Sequence, residues 1–216
     1  MRNEWLAVSA AALVIGATAL FFGSHLTPRP TGDGAILRLV HADPDAWTTA
    51  AVVLMVASTG LLFGVSSMTP LVRGRGVVPG IVGLLLLAFA AVVLAGFAMQ
   101  LVLLRALSVE GGVDADSMAA AMRDPLQQGM LKVGFGAFYV GEVMLALAFL
   151  RSATTPRWVP ALFLLHVAAM AVAVAADIGF LEDLPSILMV AAFVGAAICA
   201  NRGEIAEQRA TRTRRG

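Results

Sequence analysis

Six stretches of this chain are apolar for about the length needed to cross a hydrocarbon core of ~30 Å. They cover residues 5–23, 47–66, 77–104, 132–150, 158–178 and 185–200. At that depth no water can satisfy the backbone, so each run must be a helix. The sixth run is short, and the third is long enough to require tilt or extension past the lipid. Composition excludes the soluble alternative. Of 216 residues, 59% are hydrophobic and 13% charged, and a chain this short cannot hide so much apolar surface from water. The expectation is an all-α, polytopic membrane protein. Residues 1–200 form one six-helix transmembrane domain, and 201–216 form a basic cytoplasmic tail.

Charge sets the predicted orientation. With the N-terminus inside, ten basic residues fall on inner segments (Arg2, Arg73, Arg75, Arg151, Arg157, Arg202, Arg209, Arg212, Arg214 and Arg215). Five fall outside (Arg29, Arg38, Arg105, Arg123 and Lys132). This bias places both termini in the cytoplasm. Arginine outnumbers lysine fourteen to one, a bias of high-GC bacterial genomes, so the expected location is a bacterial plasma membrane. The first run has a charged start like a signal peptide, but it is long and lacks a small-x-small cleavage site, so it is read as a retained span.

The inner connections 67–76 and 151–157 are short and predict antiparallel hairpins. The outer loops 24–46 and 105–131 are long, and each contains a helical pattern. "DGAILRLVHADP" suits a segment lying in the interface. "DADSMAAAMRDP" offers Asp116 or Ser117 as N-cap and Pro125 past its end. Asp43 before Pro44 reads as an N-cap with proline at the first helical position. The tail after Ala200 is expected to be disordered or to lie on the anionic inner leaflet. Small-x-x-x-small spacings recur at Ala7/Ala11, Ala12/Gly16, Gly60/Gly64, Ala137/Gly141 and Ala191/Gly195. They are read as internal helix packing.

Ionisable residues inside spans are the candidate functional groups. Glu142 lies twelve residues before Thr154 and His166 twelve after it. Both are therefore ~12 Å from the inner ends of their helices, at one depth in an antiparallel hairpin. Tyr139, one turn from Glu142, can share its side. The pair has two readings: a buried hydrogen bond locking two helices, or a proton-handling or ligand-binding site. Gln100, Lys132 and Asp177 fall in the outer layer, where they would form a polar vestibule above the pair, although Asp177 also fits a solvated helix end. The tentative ligand-binding set is Glu142, His166, Tyr139, Gln100 and Asp177. His25 is read as an ordinary loop histidine.

Other chemistries find no residues. The single cysteine, Cys199, allows no intrachain disulfide and no Cys-x-x-Cys chemistry. His41, Asp43 and Asp45 only superficially match metal spacing. Asp114 and Asp116 lack the glycine and glutamate of a calcium loop. One histidine within the spans cannot form bis-histidine haem pairs. No nucleophile, metal set or acidic pair suggests an enzyme. A net charge of +1 implies no nucleic-acid partner. No catalytic residue, metal or cofactor is expected.

The stretch "LALAFLRSATTPRWVPALFLLHVAAMAVA", residues 145–173, resembles an uncharacterised bacterial family of six-helix membrane proteins, the domain-of-unknown-function family numbered 4386. Ser152, Pro156, Arg157 and Trp158 match its turn between two spans, and Pro185 opens the last helix as it does there. The likeness covers about the C-terminal 80 residues and implies fold and location, with no activity to transfer. The expected role is binding or moving a small or lipidic molecule within the bundle, with membrane lipids as surroundings. The alternative is a substrate-capture subunit, of the kind serving energy-coupling factor transporters, or an accessory or regulatory partner of another membrane protein.

Overall fold

The computed structural model describes residues 2–27, 35–109, 111, 114–176 and 183–213, with the backbone alone at 2–4, 35–37, 115, 176 and 203–213. Eight α-helices are formed among them. They are α1 (Arg2–Leu26), α2 (Ala35–Ala42), α3 (Pro44–Gly64), α4 (Val77–Val109), α5 (Ala115–Met122), α6 (Pro125–Ser152), α7 (Trp158–Ala176) and α8 (Asp183–Thr213). Two 3₁₀ segments, Val65–Leu71 and Gly74–Gly76, join α3 to α4. Six helices are long and apolar enough to span a membrane. Only 28% to 50% of each span's most apolar stretch is buried inside the bundle. The remainder presents side chains such as Val78, Leu85, Val92 and Val174 outward, a surface that suits lipid and not water.

The six long helices form a closed ring in chain order. α1 packs on α3, α3 on α4, α4 on α6, α6 on α7 and α7 on α8, and α8 closes back on α1. Lipid tails give apolar helices little reason to associate, so close backbone approach must supply the packing. Glycine permits it at α1–α3: a Cβ placed on Gly60 would lie 2.6 Å from Gly16 Cα and 2.8 Å from the Ala12 carbonyl oxygen. At α4–α6 a Cβ on Gly83 would lie 2.9 Å from the Gly141 carbonyl oxygen. Interhelical hydrogen bonds add to this. Ser58 Oγ donates to the Ala91 carbonyl at 2.7 Å between α3 and α4, and Ser9 Oγ donates to the Phe63 carbonyl at 2.7 Å between α1 and α3. One spacing behaves differently from expectation. Ala7 and Ala11 are exposed, so this stripe of α1 faces away from the ring and packs nothing within it.

Local signals set the helix ends. Asp43 caps α3 by accepting from the Ala46 N–H at 2.9 Å, with Pro44 at the first helical position. Asp124 caps α6 through the Gln127 N–H at 3.0 Å, and Pro125 opens that helix rather than merely following α5. The cap of α5 is Asp114, not Asp116 or Ser117. Its carboxylate accepts from the Ser117 N–H at 2.9 Å, the Ser117 hydroxyl at 2.7 Å and the Asp116 N–H at 3.0 Å. An aspartate two or three residues ahead of those donors has the reach that Asp116 and Ser117 lack. The α8 backbone continues helically through Thr213, so the described part of the basic tail, 201–213, extends the last helix.

The Ser117 backbone N–H, with the Ser117 hydroxyl next, holds the Asp114 carboxyl below its usual range. A depressed acid stabilises the fold above its unfolded value and loses that contribution as pH falls through its lower folded value. Amide-exchange protection in α5 should therefore stay flat from neutrality to about pH 4 and fall below it. In Asp114→Ala it should be low throughout, and a pH profile unaltered by the substitution would contradict the assignment.

The two short connections interlock. Ser152 Oγ accepts from the Arg73 N–H at 3.1 Å and donates to the Arg73 carbonyl at 2.9 Å, while Thr154 Oγ1 donates to the Leu71 carbonyl at 2.6 Å. These bonds tie the α3–α4 junction to the α6–α7 turn and fix that end of the ring. Ser152→Ala should cost about 1 kcal/mol in a denaturation titration, with the α6–α7 turn losing exchange protection first. An unchanged midpoint would remove this tie from the account.

Candidate functional site

Glu142 is fully buried on the ring-facing side of α6, in a stripe with Phe138, Leu145 and Phe149. His166 on α7 is 4% exposed. The α6–α7 turn returns the chain over few residues, so equal spacing from it puts both at one depth. Helix rotation then aims them at each other: His166 Nδ1 lies 2.5 Å from Glu142 Oε2. A charged carboxylate at the centre of a span costs roughly 2.5–3.5 kcal/mol, and the imidazole is the partner that offsets it. The compensation is incomplete. Glu142 Oε1 is buried and has no hydrogen-bond partner among the described residues. The imidazole edge meets aromatic rings, with Tyr139 5.7 Å and Phe138 6.3 Å away by centroid.

A cavity of about 190 Å³ lies inside the ring. All six long helices line it: Leu20 from α1, Leu61 from α3, Leu94 from α4, Tyr139 from α6, His166 from α7 and Met189 from α8 are examples. It runs from His166 towards the end where α1 finishes and α8 begins, reaching Ser24 and Ser186. Its walls are mainly apolar. Glu142 stands behind His166 and does not line the space. Because Nδ1 is engaged by Glu142, Nε2 is the ring nitrogen left for whatever occupies the cavity, and it has no hydrogen-bond partner among the described residues.

The remaining predicted positions separate. Tyr139 joins the site as a cavity wall. Gln100 does not: its Nε2 donates to Met122 Sδ at 3.4 Å, which spends it on holding α5 against α4. Lys132 is exposed. Asp177 lies outside the described residues. His25 is not a loop residue but sits in the last turn of α1. Its Nδ1 is 2.7 Å from the Phe21 carbonyl and its Nε2 2.6 Å from Asp183 Oδ1. Acceptors at both nitrogens fit an imidazolium that ties α1 to α8 beside Ser24 and Ser186. The chain spacing of 158 residues hides this contact from any local pattern. No group of three or more metal-binding side chains occurs among the described residues.

No protein-family model, curated protein or solved structure matches the chain.

Proposed function

We propose that the protein binds a small, largely apolar molecule in the cavity of its six-helix ring, with His166 as the polar contact and Glu142 as the residue that orients it. The observation carrying this reading is the placement of His166 between Glu142 and an apolar cavity reached by every span. A ring nitrogen with no partner among the described residues, on a residue that lines a cavity, is arranged for a ligand. A pair serving only to lock two helices would be expected to satisfy both carboxylate oxygens, and Oε1 has no partner among the described residues. Movement of the molecule across the membrane is the natural extension, because the cavity reaches towards one end of the bundle. In this reading that end faces outward and both termini are cytoplasmic in a bacterial plasma membrane, as the distribution of arginines supports. Kinship with the six-helix family numbered 4386, through the Ser152–Trp158 turn, is part of the same proposal.

Native mass spectrometry of the purified protein tests it. A co-purifying lipid or metabolite should be present in the natural protein and lost in His166→Ala, while the melting temperature distinguishes loss of ligand from loss of fold. Retention of the bound species by that variant would refute the proposal.

A second reading is favoured by one observation. Ala7 and Ala11 are exposed on α1, flanked by exposed Trp5, Val8 and Ile15. A small-residue stripe on the outer face permits close approach of another helix, as a capture or accessory subunit of a larger membrane complex would need. Ala7→Leu with Ala11→Leu should leave the isolated protein folded and, in this reading, abolish co-purification of the partner.

A further inference from the structure

We infer that the cavity takes a molecule about one ring in size whose polar group is a carbonyl-type hydrogen-bond acceptor, received by Nε2–H of His166. This rests on the ligand-binding reading of the same cavity and names the chemical class of its occupant.

Charge decides which way the hydrogen bond runs. A net charge facing mainly apolar walls finds no counter-ion among the lining side chains, so the neutral state of the Glu142–His166 pair is the favoured one. One proton lies between Oε2 and Nδ1. Whether it sits on the carboxyl or the imidazole, the second hydrogen of a neutral pair is then on Nε2, because the alternative, Nδ1–H donating to Oε2 with the acid proton on Oε1, would bury an O–H that has no acceptor among the described residues. A bare Nε2 that could accept a bond needs either that unpartnered O–H or a net charge of −1 on the pair. The cavity therefore offers a donor. A ketone or quinone carbonyl accepts that bond and brings no polar hydrogen needing a partner of its own. An alcohol or phenol brings such a hydrogen to walls whose hydroxyl acceptors are confined to Tyr139, Ser24 and Ser186, and a carboxylate brings an unbalanced charge.

Size and walls restrict the rest of the molecule. A dry cavity of about 150 Å³ holds benzene, so about 190 Å³ fits a single ring with a short substituent. Phe135, Phe138 and Tyr139 provide aromatic faces and edges, and Met170 and Met189 provide adaptable thioethers. Both surfaces suit a flat ring.

The test uses three molecules of nearly equal shape: acetophenone, cumene, in which a methyl group replaces the carbonyl oxygen, and 1-phenylethanol, in which a hydroxyl replaces it. The chain has three histidines, so the full-length protein labelled with ¹⁵N-histidine in lipid nanodiscs gives few ring signals. His25→Gln and His41→Gln identify the other two. Acetophenone should move the His166 Nε2 signal and bind about five- to tenfold more tightly than cumene after correction for partitioning into lipid, the worth of one hydrogen bond. His166→Phe combined with Glu142→Leu, which removes the donor without stranding a buried carboxyl, should abolish the preference. Equal affinity for acetophenone and cumene would overturn the acceptor inference and leave the cavity reading intact. Tighter binding of 1-phenylethanol than of acetophenone would overturn the carbonyl class. Failure of all three to move the signal or bind would overturn the inference and the cavity reading together.

Discussion

Gly60→Val is expected to separate α1 from α3 and to lower stability by about 3 kcal/mol or more. The cause is backbone against backbone. The new Cβ would fall 2.6 Å from Gly16 Cα, 2.7 Å from Gly16 N and 2.8 Å from the Ala12 carbonyl oxygen. No rotamer change relieves contacts with main-chain atoms, so the helices must move apart. The loss would then spread. Ser9 bonds to Phe63 across the same interface, and it weakens as the helices part. The ring also loses the closure on which the cavity depends. Gly136→Val is the control, because nothing lies within 4 Å of a Cβ placed there. That variant should unfold within about 0.5 kcal/mol of the natural protein. A mixed-micelle denaturation titration reads both, and similar midpoints for the two variants would contradict the packing described here.

The second large effect is an asymmetry at the buried pair. His166→Leu removes the described partner of Glu142 and leaves a carboxyl group with neither oxygen bonded, at a cost of about 3 kcal/mol. Glu142→Leu leaves a neutral imidazole with neither nitrogen partnered among the described residues, at about 1–2 kcal/mol because no charge is stranded. The double variant removes both polar groups at once and should be more stable than His166→Leu alone, because leucines at both positions place no unpaired polar atom in the bundle. Equal and additive losses from the two single changes would mean that the residues do not act as a pair.

Much of this structure is legible from residue types and spacing. Apolar runs of spanning length have one outcome in lipid, so the six helices follow from them. Asp43-Pro44 forms its cap because the donor and acceptor are three residues apart in the chain. The Glu142–His166 contact was half legible. Equal spacing from a short turn gives equal depth, but whether the two side chains meet depends on helix rotation. In spans that are apolar on all sides the sequence barely encodes rotation. For the same reason Ala7 and Ala11 read as ring packing when they face outward. The contacts of Gln100 and His25 were not legible, because their partners, Met122 and Asp183, are 22 and 158 residues away. No periodicity reports a contact of that kind. The cavity was not legible at all, being the space left where six helices fail to meet. Its lining residues share no chemistry beyond their small polarity.

The central claim is that the Glu142–His166 pair faces a ligand and does more than join two helices. The most direct measurement is ligand retention by the Glu142→Leu/His166→Leu double variant, read by native mass spectrometry beside its melting temperature. The expected result is a folded protein melting near the natural one, with the co-purifying molecule lost. A bound molecule retained unchanged in a variant that melts well below the natural protein would contradict the claim and reduce the pair to a structural bond.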